Sequence, residues 1–341
     1  MFKSEKKINT LFHYWLVISL ILVFFIIIIG GLTRLTNSGL SITEWELFKG
    51  VLPPLNEKSW NNYFEEYKKI PQYKLLNFNM SLEEFKIIFY WEYAHRIVAR
   101  VIGLFILIPI IFFLISKKIK NEYIKICFFI LLLIIFQGTV GWYMVKSGLV
   151  NKVTVSHYKL SIHLSTAIII ISTIFWLLMN FLKKKNKKFI KFSNKDLPFL
   201  ILIFLIFLQI IVGAFVSGLD AGRIYQTWPL MGNSFFPDDI TFENYINLIE
   251  FNNHSLVQFY HRNLAYLIIV YALILSFSIY KKKMSKLYLA IKFLLFFLFL
   301  QAFLGILTLV SGLNIYLASS HQITSVLLIL SALNLYYLRS K

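Results

Sequence analysis

A single cysteine, Cys127, lies within an apolar run, so no disulfide can form inside this 341-residue chain. That excludes a dithiol relay built by the chain alone. Charge is also scarce: Asp, Glu, Lys and Arg make up 15% of the residues, where about a quarter is usual in soluble domains. Acidic residues are scarcest, 16 against 35 basic ones, leaving a formal charge of +19. In a soluble protein that balance would point to nucleic acid. Here the lysines sit in short clusters between apolar runs, the pattern of cytoplasmic loops, so no nucleic-acid partner is expected. Met1 to Lys7 is too short and too poor in arginine for a transit peptide, and the run behind it has no small-residue cleavage site. It reads as a retained first span.

What the chain has in abundance is apolar surface: 58% of residues are hydrophobic and 18% aromatic. Eight runs reach the roughly 20 residues that cross a bilayer, at about 14–33, 87–115, 124–145, 157–182, 197–217, 257–280, 287–311 and 316–338. Basic clusters follow the second, fourth and sixth runs (Ser116 to Lys120, Lys183 to Lys188, Lys281 to Lys283), and Lys3, Lys6 and Lys7 precede the first. The excess of lysine puts both termini and these loops in the cytoplasm. The two long loops, about 34–86 and 218–256, then face outward.

The chain repeats itself. Gln137-Gly-Thr-Val-Gly141, followed by Ser147-Gly-Leu149, returns as Gln301-Ala-Phe-Leu-Gly305, followed by Ser311-Gly-Leu313. His95-Arg96 returns as His261-Arg262, and four spans separate each motif from its copy. The expected fold is therefore an all-α integral membrane protein: eight transmembrane helices forming two pseudo-symmetric four-helix bundles. Residues 1–182 form the N-terminal half, 183–195 a basic cytoplasmic linker, and 196–341 the C-terminal half. Gly and Ser at the span ends permit close helix approach, and Pro109 should kink the second span. In the first long loop, 59–67 is amphipathic enough for a short surface helix. Its aromatics (Trp45, Trp60, Tyr63, Phe64, Tyr67) read as an interfacial belt.

Of seven histidines, His13 at the cytoplasmic mouth of the first span and His254 in the second long loop carry no signal. His95, His157, His163, His261 and His321 all fall near the outer ends of even-numbered spans. Ionisable groups inside a membrane are costly and tend to bind ions or cofactors. Each half can converge two histidines, span two with four and span six with eight. Two facing imidazoles in an apolar bundle suit a haem iron, whereas zinc asks for three or four ligands. In the fourth span His163-Leu-Ser-Thr-Ala167 matches His321-Gln-Ile-Thr-Ser325 best, although ungapped counting favours His157. Six residues separate the two, about 240° around a helix, so both cannot easily face one iron. Arg96 and Arg262 are suited to haem propionates or to snorkelling toward headgroups. Glu92, three residues before His95, shares its helix face and could give or take a proton beside bound haem. Gln258, at the same place before His261, could not.

Gly30-Gly-Leu-Thr-Arg-Leu-Thr-Asn-Ser-Gly-Leu40, Gly50-Val-Leu-Pro-Pro54, the stretch from Glu84 to Arg96 and Thr227-Trp-Pro-Leu-Met231 together resemble haem A synthase, over almost the whole chain. The likeness is to the branch shared by mitochondria and alphaproteobacteria. It implies an oxidoreductase of the bacterial plasma membrane that oxidises the C8 methyl of haem O to a formyl group, by successive hydroxylation and loss of water, giving haem A for cytochrome oxidase. It also implies a haem b on His261 and His321, and a substrate haem beside His95 and His163 with Glu92 as the catalytic carboxylate. Haem sites toward the outer side, haem O synthase and oxidase assembly factors as partners, surrounding lipid and an unidentified electron donor complete the expectation. Some bacterial members have paired loop cysteines; this chain has none. A two-haem cytochrome b-type electron-transfer subunit and a non-catalytic haem carrier are the alternatives. The Glu92/Gln258 inequality, the duplicated half and the family motifs favour the synthase over both, and the shared depth of the histidines speaks against the electron-transfer subunit.

Overall fold

The computed structural model describes residues 2–44, 49–151, 153–240 and 251–340. Trp45, among the loop aromatics, and 241–250 of the second long loop lie outside them. Ten α-helices occur among the described residues: α1 (Phe2–Leu35), α2 (Glu57–Lys68), α3 (Pro71–Leu76), α4 (Leu82–Ser116), α5 (Asn121–Asn151), α6 (His157–Leu182), α7 (Leu197–Gly218), α8 (His254–Lys281), α9 (Tyr288–Val310) and α10 (Ile315–Arg339). All but α2 and α3 are long and apolar enough to span a bilayer, which gives the eight expected spans. The described residues contain no β-strand, only an isolated bridge between Met231 and Ser234.

Local chemistry sets several of the ends. Ser81 and Glu84 form a reciprocal capping box at the start of α4. Asn56, Asn253 and Asn314 cap α2, α8 and α10 by accepting from backbone N–H groups. Pro109 lies inside α4, which remains one helix through it. Two compact units emerge, Met1–Ile170 and Ile171–Lys341, and their division falls within α6. The last turns of α6 belong with the segment after them. Asn180 exchanges hydrogen bonds with the backbone of Lys187, and Trp176 packs on Tyr336 and Tyr337.

The loop helix expected over 59–67 is present as α2, but its apolar face is turned inward. Trp60, Phe64 and Tyr67 are buried against Phe85, Ile88 and Phe89 of α4, with Leu40 and Ile42. The amphipathic pattern was legible; its partner is the extended first part of α4 rather than lipid. At 35 residues, α4 is about 52 Å long, against about 30 Å of hydrocarbon. Its N-terminal turns therefore project as a scaffold for the loop.

Candidate functional site

In the first unit the rings of His95 on α4 and His163 on α6 face each other with centres 6.4 Å apart. In the second, His261 on α8 and His321 on α10 do the same, again at 6.4 Å. Each ring is seated on a glycine of a neighbouring helix. A Cβ added to Gly30 on α1 would meet His95 Cε1 at 3.0 Å, and one on Gly141 on α5 would meet His163 Cε1 at 3.1 Å. Gly213 on α7 and Gly305 on α9 stand against His261 and His321 at 3.0 and 2.8 Å. Without a side chain at these four positions, the helices approach until imidazole meets backbone.

Sequence reasoning found the histidines but not these seats. A signal was available, because Gln209-Ile-Ile-Val-Gly213 repeats the Gln-x-x-x-Gly spacing of 137–141 and 301–305. Only α1 departs, with Ile26 where the others have glutamine. The glutamines matter in the second unit. Gln209 Nε2 lies 2.9 Å from the His261 carbonyl oxygen and 3.4 Å from its ring Nε2. Gln301 Nε2 lies 3.3 Å from His321 Nε2, and Thr324 donates its hydroxyl to Gln301 Oε1. His321 Nδ1 donates to the Gln301 carbonyl at 3.0 Å, which leaves Nε2 as the lone-pair nitrogen.

These pairs fit a two-imidazole metal group. A metal ion sits about 2 Å from an imidazole nitrogen, and the ring centre lies ~1.1 Å further back, so two imidazoles on opposite sides of one ion have centres about 6 Å apart. Buried Nδ1 atoms of His95, His163 and His261 have no hydrogen-bond partner among the described residues. The bond from His321 Nδ1 to a carbonyl is the orienting contact that metal-bound histidines usually make. No group of three or more His, Cys, Asp or Glu side chains suited to a metal ion occurs among the described residues. The donor set is thus two nitrogens per site, which suits a haem iron held from both sides.

One turn before each histidine pair's first member the two units differ. Glu92 is 3% exposed and accepts four hydrogen bonds. Arg96 Nη2 and Nε reach Oε1 at 2.6 and 3.1 Å. Ser41 Oγ and the Ile42 N–H reach Oε2 at 2.8 and 2.9 Å. Arg96 also donates to the carbonyls of Ile42 and Glu44. In the second unit Gln258 Nε2 donates to Tyr225 O at 2.8 Å, and Arg262 donates to Tyr225 O and Leu230 O. Each arginine clasps the loop beside it, but the polarity at the neighbouring residue is reversed. Glu92 receives donors from its loop; Gln258 offers a donor to its own.

The remaining histidines are placed elsewhere. His157 is the first residue of α6, with its ring against Tyr158 at 4.1 Å, and it is His163 that meets His95. His254 opens α8 and His13 lies in α1.

Residues 13–333 match the COX15-CtaA family model, described as a cytochrome oxidase assembly protein. A protein of Pelagibacter ubique named heme A synthase is 48% identical over 346 residues, covering all of both chains. Relatives of the same name from Rickettsia felis (40% identical, 94% of this chain and 96% of the relative) and a Wolbachia species (39% identical, 99% of each) also align nearly end to end. Histidine pairs, glycine seats and the Glu92–Arg96 clasp all lie inside the matched span. Match and geometry together put this chain in the COX15-CtaA family of cytochrome oxidase assembly proteins.

Proposed function

We propose that the chain is a haem A synthase, an oxidoreductase that converts haem O to haem A for cytochrome oxidase by oxidising the C8 methyl group to a formyl group. The observation that carries this reading is the part-buried His95–His163 pair with the buried Glu92 one turn away, in a chain aligned end to end with relatives named heme A synthase. His95 and His163 would take the substrate's iron between them. His261 and His321 would hold a resident haem b, with the Gln301 carbonyl orienting the His321 ring, Thr324 fixing the Gln301 side chain and Gln209 tied to the His261 carbonyl. When bound, that haem supplies one-electron redox chemistry at the second site.

The reactive half is then the one with a carboxylate. Glu92 is the residue proposed to exchange a proton with the substrate, and the Ser41 hydroxyl gives it room to do so. That hydroxyl lies 2.8 Å from Glu92 Oε2 and 3.3 Å from the Ile88 carbonyl. Turning to Ile88 would leave Oε2 able to accept a proton. Gln258 has no such capacity. Arg96 and Arg262 are proposed to face the propionates while their other N–H groups clasp the loops.

The lysine-rich loops support an orientation with both termini in the cytoplasm and the histidines toward the opposite face of a bacterial plasma membrane. Haem O synthase as supplier, oxidase assembly factors as recipients and a separate electron donor belong to the same proposal. Expressing the chain with a haem O synthase and separating the extracted haems by chromatography tests it. Haem A is the expected product. Haem O alone, with normal haem b, would support an electron-transfer protein or carrier instead.

A further inference from the structure

Two sequence motifs have no assigned role beyond the Arg262 contact to Leu230 O: Gly50-Val-Leu-Pro-Pro-Leu55 in the first loop and Trp228-Pro-Leu230 in the second. Each is hydrogen-bonded to a spanning helix of its own unit. Arg100 Nη1 donates to Gly50 O at 2.9 Å, and Tyr93 Oη donates to Val51 O at 2.6 Å. On α8, Trp228 Nε1 donates to the hydroxyl of Tyr266 at 3.0 Å, and Arg262 Nη1 to Leu230 O at 3.2 Å. Arg100 follows His95 by five residues, as Tyr266 follows His261.

The depth of these contacts follows from the helices. Ser116 at the end of α4 precedes Lys117, Lys118 and Lys120, and α8 ends at the Lys281-Lys-Lys283 cluster. Lysines mark one hydrocarbon edge, and about 20 residues reach the other. Counting back puts that second edge near Arg96 on α4 and near Arg262 on α8. Arg100 and Tyr266 are then about one helical turn inside it. Non-helical backbone survives at such depth only where its polar groups are satisfied by protein, and a buried arginine only where it is paired. The helix donors cap three loop carbonyls, those of Gly50, Val51 and Leu230, and pair Arg100 and Arg262 in doing so, while Pro53, Pro54 and Pro229 have no N–H to satisfy. The segments carry no charged side chain. Leu52 and Leu55 are 68% and 79% exposed, and Trp228 and Leu230 are exposed as well.

We infer that Gly50–Leu55 and Trp228–Leu230 are re-entrant straps lying within the bilayer leaflet that holds the histidine pairs, with their apolar side chains against lipid acyl chains. Lipid is the occupant because the straps' depth is set by spanning helices and because exposed Val101 and Leu104 on α4 share that level.

Site-directed spin labelling of the full chain in phosphatidylcholine–phosphatidylglycerol nanodiscs tests the inference. In a Cys127→Ser background, single cysteines replace Leu52, Leu55 or Leu230, with Leu104→Cys as the lipid-facing control and Lys58→Cys as the aqueous one. Labels on the straps should be relaxed by oxygen and shielded from a water-soluble nickel chelate, as at Leu104. Nickel access like that at Lys58 would overturn the inference. So would shielding from both reagents, which would mean that protein covers the straps. Adding Arg100→Gln should release Gly50, and the Leu52 label should then lose its oxygen preference while a Leu104 label in the same variant keeps it. An unchanged Leu52 label would remove Arg100 as the tether that places the strap.

Discussion

Gly305 and His321 are packed so closely that a Cβ on the glycine would fall 2.8 Å from the ring's Cε1 atom. No ordinary side-chain contact is that short, so Gly305→Ala must push either the ring or α9 aside. Overpacking of this kind costs about 1–3 kcal/mol, and here the displaced group is a proposed iron ligand. The expected outcome is a lower haem-to-protein ratio in purified Gly305→Ala, with a lower unfolding temperature. Gly138 is the control: nothing lies within 4 Å of its added Cβ. Gly138→Ala should keep the haem and, from helix propensity alone, gain up to about 1 kcal/mol.

Glu92 and Arg96 form an ion pair whose side chains are 4% and 12% exposed. Removing one partner of a buried pair costs about 3–5 kcal/mol, mostly because the other charge is stranded. Glutamine at position 92 offers one acceptor oxygen and one NH2 group, so a donor must face either Arg96 or the Ile42 N–H. Glu92→Gln should therefore be nearly as destabilising to the loop as Glu92→Ala, read by faster proteolysis within 36–56. Both variants should stop haem A formation while leaving the haem b spectrum of the second unit intact. Normal haem A from Glu92→Ala would overturn its catalytic role.

The spans were legible in the sequence because continuous apolar runs need no partner to be recognised. The eighth run read as 316–338 is α10, Ile315–Arg339, and the fourth coincides with α6. α1 begins earlier than its run, since the helix continues through Lys6 and Lys7 beyond any hydrocarbon limit. The histidines stood out as ionisable groups among apolar neighbours. Their glycine seats stood out less, because glycine is common in transmembrane helices and only the repeated Gln-x-x-x-Gly spacing marks three of the four. The clasp of Glu92 by Arg96 is an i,i+4 pair and could have been read. The contributions of Ser41 and Ile42 could not, since they come from a loop some 50 residues away.

Tyr67, in α2 outside the spanning helices, provides a pH test of the loop core. Its hydroxyl donates to Gln72 Oε1 and accepts from Asn77 Nδ2. Burial pushes its pKa up to about 12, more than the Asn77 bond lowers it, and the charge of Glu92 adds to the rise. The folded state thus favours the neutral phenol. Its contribution to stability is fully present below pH 10 and is lost as pH rises toward 12. Tyr67→Phe should cost about 1 kcal/mol at neutral pH and should flatten that alkaline loss. The measurement is the denaturation midpoint of both proteins between pH 8 and pH 12.

His163 and His157 give the most direct separation of geometry from sequence counting. Only His163 has its ring against His95, and only His163 is seated on Gly141. His157 begins α6 six residues earlier, about 9 Å along the helix axis, beside Tyr158. His163→Ala should abolish binding of added haem O at the first site, leave the haem b of the second site unchanged, and yield no haem A. His157→Ala should retain haem O binding, because the 6.4 Å histidine pair is intact. Haem O titration followed by difference spectroscopy distinguishes the two. Loss of binding in His157→Ala with retention in His163→Ala would move the fourth-span ligand to residue 157 and require α6 to shift against α5.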